Sequence, residues 1–245
     1  MDPAELPVPP DFLQQVRFFQ GLSEAEAAAV LDAAWPRRVA RDGFFFHQHD
    51  TATTLYVLRQ GQVKLSQLTP EGHQVLLRYV GPGEMFGGIA VLAQSAYPVS
   101  AQAVEDSLAL AWDGERMARL MERYPRLALN ALRLVAARFR ELQDRYRELA
   151  TERVERRVAR ALLRLARHRG RKVPAGVLID LPLSRQDLAE LTGTTLYTVS
   201  RLLSRWDQQG LLHAGRERVL IRTPHELERI AEDLPPSAPL PPAGE

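Results

Sequence analysis

Two stretches of this 245-residue chain carry side chains whose types and spacing could do chemistry. In Thr194–Arg201, Thr195, Leu196, Tyr197, Ser200 and Arg201 fall on one side of a helix if the segment is helical. A guanidinium such as that of Arg201 can bond guanine O6 and N7 together, whereas the hydroxyls of Ser200 and Thr195 suit a phosphate or a single base atom. Tyr197 could reach a phosphate or a thymine methyl. The second stretch is His47-Gln48-His49. Residues i and i+2 of a strand share a face, so a strand here would let both imidazoles meet one metal ion. The chain has no cysteine, which removes disulfides, thiolate zinc sites, cysteine nucleophiles and cysteine-held iron–sulfur clusters together.

The elements around the first stretch are legible from their caps. Ser184 can N-cap a helix with Asp187 three residues on; that helix carries Leu188, Ala189 and Leu191 and stops at Gly193. Thr194 or Thr195 caps a second helix, with Val199, Leu202, Leu203 and Trp206 inward and Gly210 at its end. The small Ala189, the glycine at the turn and the β-branched Val199 suit two helices crossing closely. Beyond them, Leu211–Leu212 and Val219–Ile221 flank His213-Ala214-Gly215-Arg216-Glu217-Arg218, which predicts a hairpin with a basic tip. Formal charge follows this division: residues 1–150 carry −2, 151–222 carry +8 and 223–245 carry −4. A compact basic segment behind a near-neutral one predicts a winged helix-turn-helix that binds double-stranded DNA, its second helix in the major groove. Arg185, Arg205, Arg216 and Arg218, with Ser184, complete the expected contact surface, the arginines mainly on phosphates.

The rest of the chain must present this reader. Residues 1–11 read as a flexible arm, and 12–34 have helical spacing with a Ser23-x-x-Glu26 capping box. From about 38 to 112 the period is two, with Leu55/Val57, Val63/Leu65 and Val75/Leu77/Tyr79 alternating against their neighbours. Glycines punctuate this run, so an antiparallel β-roll is expected within a sensor domain over 12–124. Pro125 opens a long helix over 125–150 whose apolar positions Ala128, Leu132, Val135, Phe139, Leu142, Tyr146 and Leu149 step by 4 and 3 in alternation. Such a narrow seam suits pairing with a second copy of itself in a two-stranded coiled coil. The DNA-binding domain then spans 151–230, with Arg171–Gly176 as a break, and proline-rich 231–245 reads as a disordered tail. The fold class is α+β.

With these residues in view, the chain resembles the cyclic-AMP receptor/fumarate-nitrate regulator (CRP/FNR) family of bacterial transcription factors over roughly 12–230. The most specific stretches are Leu183-Ser184-Arg185-Gln186-Asp187-Leu188-Ala189 and Thr198-Val199-Ser200-Arg201-Leu202-Leu203. The resemblance implies a cyclic-nucleotide-binding-like jelly roll, a dimer helix and a winged helix-turn-helix. It implies a homodimer on two-fold-related half-sites about one helical turn apart. RNA polymerase is a further partner if the protein is an activator. Ser200 and Arg201 stand where the fumarate-nitrate branch reads its half-site. Tyr197 stands where both branches usually place a glutamate, and Leu196 where the cyclic-AMP branch places an arginine, so the family's usual operator does not carry over. Thr194–Arg201 is most similar to a subgroup associated with nitrogen-oxide control.

The family's cyclic-nucleotide site needs a Gly-Glu pair and an Arg-Ser pair. Here Gly87-Gly88 and Val99-Ser100 occupy that effector pocket, so Gly88 replaces the glutamate, Pro98 or Val99 replaces the arginine, and Ser100 alone survives. A buried phosphate without its guanidinium is poorly compensated, and cyclic AMP is not expected to bind. No cofactor is expected. Haem without cysteine would use a histidine or an N-terminal nitrogen, with His47, His49 and His73 as candidates. A cupin-like metal-binding protein with a DNA-binding tail is the alternative that His47-Gln48-His49 raises. However, Thr54 stands where that pattern needs its carboxylate, though Gly61 fits. A ligand-independent regulator controlled by its abundance is the other alternative. GxxxxGK[ST], HExxH and GxSxG are absent, and no apolar run is long enough to span a membrane, so a cytoplasmic non-enzyme is expected.

Overall fold

The computed structural model describes residues 12–215 and 217–235. The arm 1–11, residues 236–245 of the tail and Arg216 at the hairpin tip lie outside the described residues. The chain divides into two compact units, residues 1–143 and 144–245, and the divide falls inside one long helix.

The first unit opens with α1 (Phe12–Gln15), a 3-10 turn (Arg17–Phe19) and α2 (Glu24–Asp32). Ser23 caps α2 through the full capping box with Glu26. Eight strands follow: β1 (Trp35–Val39), β2 (Phe44–Phe46), β3 (Thr54–Gln60), β4 (Val63–Leu68), β5 (Gln74–Val80), β6 (Met85–Phe86), β7 (Ser100–Ala103) and β8 (Ser107–Asp113). They form two antiparallel four-stranded sheets, in the orders β1-β8-β3-β6 and β2-β7-β4-β5, which is the jelly roll. Gly61 lets the chain pass from β3 in one sheet to β4 in the other. Its φ is +91°, and a Cβ there would lie 2.7 Å from the Asp106 carbonyl oxygen.

Val57, Leu58, Val63, Val80, Ala101, Ala109 and Trp112 belong to the buried core that the roll builds on its two sheets. Trp112 packs at a tilt against Phe19 and donates its indole N–H to the Val30 carbonyl at 2.8 Å, tying the N-terminal helices to the roll. The alternation expected for β5 fails at its start. Leu76 is buried and Val75 exposed, because the ladder skips one residue opposite Leu65/Ser66 and this bulge reverses which side chains face inward.

After α3 (Gly88–Leu92) and α4 (Gly114–Arg123), α5 runs from Pro125 to Thr151. Leu127 and Ala131 on one face of α5 belong to the core of the first unit, so the helix is not a separate segment at its start. Beside them Asn130, 4% exposed, donates its amide to the Phe18 and Gln20 carbonyls at 3.0 and 2.8 Å. Asn130→Ala leaves both acceptors unpaired, at a cost of about 1–3 kcal/mol. The expected result is a thermal midpoint several degrees lower in a melt followed by circular dichroism; an unchanged midpoint would contradict this anchoring.

The second unit contains α6 (Val154–Arg169), β9 (Gly170–Val173), β10 (Gly176–Ile179), α7 (Arg185–Thr192), α8 (Leu196–Gln208), β11 (Leu212–Gly215), β12 (Arg218–Ile221) and α9 (Pro224–Glu232). The four strands form one antiparallel sheet ordered β11-β12-β10-β9. The segment Arg171–Gly176, expected to be a break, is instead the edge strand and turn of a hairpin whose charged Arg171 and Lys172 suit a sheet edge. The first residues of 231–245, expected to be disordered, are instead ordered: α9 runs through Glu232, and Ala231 is buried. Among the described residues no helix is long and apolar enough to cross a membrane.

Candidate nucleic-acid interface

The helix-turn-helix is built by its caps. The Ser184 hydroxyl accepts the Asp187 N–H at 2.9 Å while the Ser184 N–H donates to Asp187 Oδ2 at 3.0 Å, closing a capping box at the start of α7. Gly193 ends α7 at φ +62°, ψ +47°, the left-handed conformation that turns the chain toward α8. Thr195 caps α8, accepting the Thr198 N–H at 3.2 Å, with the two threonine hydroxyls 2.9 Å apart. Leu188, Ala189, Val199, Leu202, Leu203 and Trp206 are buried. That packing turns one face of α8 outward, with Leu196, Tyr197 (75% exposed) and Arg201 on it and Ser200 half-buried beside them. Neither Tyr197, Ser200 nor Arg201 is held by another side chain among the described residues. This face of α8 projects from the helix-turn-helix into solvent.

The hairpin of β11 and β12 closes at Gly215↔Arg218, with Glu217 at φ +55° in its tip. Its base is clipped to α8. Asp207 accepts the Ala214 N–H at 3.3 Å and lies 3.3 Å from His213 Nδ1. The Ala214 N–H and, secondarily, His213 hold the Asp207 carboxyl below its ordinary value. Arg185 and Arg218 are exposed and make no ion pair among the described residues. Arg205 differs from the expected phosphate contact, because it forms an ion pair with Glu155 of α6. Other arginines of the basic segment are likewise engaged inside the domain: Arg164 with Glu148 at 2.6 Å, Arg160 with Glu152 at 3.1 Å and Glu232 at 3.0 Å, and Arg156 with Asp233 at 3.6 Å. Formal charge alone thus overstates the positive surface, since carboxylates at 148, 232 and 233 fall outside the segment whose charge was summed.

Along α5, Leu132 (65% exposed), Val135, Phe139, Leu142, Tyr146 (74%) and Leu149 are all exposed, in a stripe that runs beside the positions of the buried Leu127 and Ala131. In the roll, Gly87 N-caps α3 in the left-handed conformation, and a Cβ there would sit 3.3 Å from ring carbons of both Phe46 and Tyr97. Gly88 is buried, and a Cβ on it would meet Met85 Cε at 3.0 Å. Phe46 and Tyr97 stack with centroids 3.7 Å apart, beside Tyr56, Phe86 and Phe45. The Tyr97 hydroxyl donates to the Thr54 carbonyl and accepts the Thr54 N–H at 3.1 Å; burial pushes its pKa up to about 12. Val99 and Ser100 are half-buried, and Ser100 Oγ accepts the Gln48 N–H at 2.9 Å.

The histidines do not form the site their spacing suggested. β2 ends at Phe46, so His47 and His49 stand on a turn rather than a strand, and His49 takes φ +74°. The i, i+2 argument therefore does not apply to them. His47, His49 and His73 are exposed, and His47 lies against the Phe44 ring at 4.4 Å. Among the described residues no three histidine or carboxylate side chains group to hold a metal.

A jelly roll followed by a long helix and a winged helix-turn-helix whose second helix turns one face outward defines a class, the DNA-binding transcription regulators with a sensor domain. Comparison with known proteins agrees. Residues 36–124 match the cyclic nucleotide-binding domain, and residues 156–230 match the Crp-like helix-turn-helix domain. The cyclic AMP receptor protein of Thermus thermophilus is 33% identical over 216 residues, 88% of this chain and 97% of that protein. The transcriptional activator protein anr of Pseudomonas aeruginosa is 30% identical over 196 residues, 80% of each. Among solved structures, a CRP-family transcriptional regulator from Thermus thermophilus has a TM-score of 0.67 at 29% identity, covering 81% of this chain and 97% of that one. The chain belongs to the CRP/FNR family of transcription regulators.

Proposed function

We propose that the protein is a homodimeric regulator that reads two-fold-related DNA half-sites with α8, and that its β-roll does not take a cyclic nucleotide. The exposed apolar seam of α5 carries the homodimer, because six large apolar side chains at alternating 3 and 4 spacing would otherwise face water. Arg201 reads a guanine, Ser200 and Thr195 add single bonds, and Tyr197 and Leu196 give the half-site its own sequence. Arg185, Arg216 and Arg218 supply phosphate contacts. RNA polymerase is the further partner if the bound dimer activates.

The reading of the sensor rests on what occupies its Gly87–Ser100 region. No glutamate or arginine stands at Gly88 or at Pro98 and Val99, Ser100 is bonded to the Gln48 backbone, and the Phe46/Tyr97 stack lies against Gly87. Titrating the protein with cyclic AMP in a calorimeter is expected to give no binding heat and no change in DNA affinity. Saturable binding that raises DNA affinity would overturn this part.

Thr194–Arg201 supports placing the chain near the nitrogen-oxide subgroup, whereas the self-packed aromatic interior favours a second reading, control by abundance. Mapping genomic sites with and without nitric oxide separates them. Occupancy that changes at constant protein level supports a signal, and occupancy that only tracks protein level supports abundance.

A further inference from the structure

Arg157 lies in the first turn of α6, half-buried, and its guanidinium donates to three backbone carbonyls at two separate places. Nη1 reaches the Glu152 carbonyl at 2.8 Å, one residue beyond the end of α5. Nε and Nη2 reach the Thr192 and Gly193 carbonyls at 3.1 and 3.3 Å, at the end of α7. Carbonyls at a helix C-terminus have no intrahelical partner and form the negative end of the dipole. One cation therefore terminates two helices and fastens them together. A planar fork suits this, since its three nitrogens are held apart in one rigid plane, whereas the donors of an ammonium all start from a single atom on a flexible stem.

The junction is braced on both sides. Glu148 and Glu152, with side chains only 8% exposed, fix the last turn of α5 to Arg164 and Arg160 of α6 at 2.6 and 3.1 Å. Leu149, the last residue of the apolar seam, stands over the turn: a Cβ added at Gly193 would lie 3.0 Å from its Cδ2. Gly193 is two residues before Thr195, the cap of α8. The position of the Gly193 carbonyl therefore sets where the reading helix begins.

We propose that Arg157 is a positioning residue for base reading, which locks the helix-turn-helix turn to the end of the seam helix without itself touching DNA. This rests on the assignment of Arg201 as a base-reading residue. The test uses full-length protein with two duplexes of equal length, one selected by the parent protein from a random-sequence pool and one scrambled. Arg157→Ala is expected to lose about tenfold or more in affinity for the selected duplex, the scale of losing charge-assisted bonds. Binding to the scrambled duplex should stay within about twofold, because phosphate contacts alone set it. Combined with Arg201→Ala, it should add little on the selected duplex, since both act through the same contact.

Arg157→Lys keeps the charge and most of the stem, so it answers the question even if the alanine variant unfolds. It should also lose selective affinity. Full affinity in Arg157→Lys, equal losses on both duplexes, or additive effects with Arg201→Ala would overturn the proposal. A parent protein that selects no sequence, or an Arg201→Ala variant that still selects the same one, would instead show that the reading assignment beneath it had failed.

Discussion

Replacing Phe139 and Leu142 together with glutamate is expected to halve the mass of the particle in light scattering, to that of one 27.6 kDa chain. Both side chains are exposed on α5, at 59% and 62%, so the isolated chain loses little by the change. In the dimer each is expected to face its counterpart. Burying a Phe or Leu contributes about 1.5–3 kcal/mol, so the four side chains of a pair supply about 6–12 kcal/mol. Removing even about 6 kcal/mol moves a nanomolar dimer into roughly the tens-of-micromolar range. Four carboxylates brought together at the seam oppose association further. The monomer should keep the circular dichroism of the parent and lose high-affinity binding to a two-fold site. A dimer of unchanged mass would refute the seam.

The second large effect is at Arg201. Arg201→Ala is expected to cost about 1–3 kcal/mol at each half-site. Over both half-sites that is about thirtyfold or more in affinity, with relaxed preference at one base position. The salt dependence should barely change, because a base contact releases few counterions. Arg218→Ala provides the contrast. It should weaken binding to all sequences alike and lower the salt slope by about one. The two variants separate reading from holding, and an unchanged footprint and preference in Arg201→Ala would remove Arg201 from the reading face.

These expectations rest on features that were legible before any coordinates because local chemistry determines them. The Ser23/Glu26 and Ser184/Asp187 boxes, the left-handed Gly193, the Thr195 cap and the alternating 3 and 4 spacing of α5 each depend on a few neighbouring residues. What escaped depends on partners distant in sequence. The bulge opposite Leu65/Ser66 inverts β5 and leaves no local mark. The short, charged β9 looks like a loop until β10 pairs with it, and α9 carries its last turn past 230 because Ala231 is buried in the fold.

The basic segment shows the same limit. Composition places its charge in one domain, but only the fold shows that Arg156, Arg160, Arg164 and Arg205 face carboxylates while Arg185, Arg201 and Arg218 do not. Arg157 is one more positive charge in that segment, although its bonds all go to backbone carbonyls. For His47 and His49 the limit acts in the opposite direction: their metal-like spacing has no strand beneath it, because β2 ends at Phe46, before either histidine.

The central claim is that two copies of α8 read DNA together across a two-fold axis. Selection of binding sites from a random-sequence duplex pool by the full-length protein, followed by sequencing, tests it most directly. The predicted result is an inverted repeat whose half-site centres lie about 10–10.5 base pairs, or a small multiple of that, apart. It should include a guanine in each half whose preference weakens in the Arg201→Ala variant. An unrepeated motif, or enrichment without sequence preference, would contradict it.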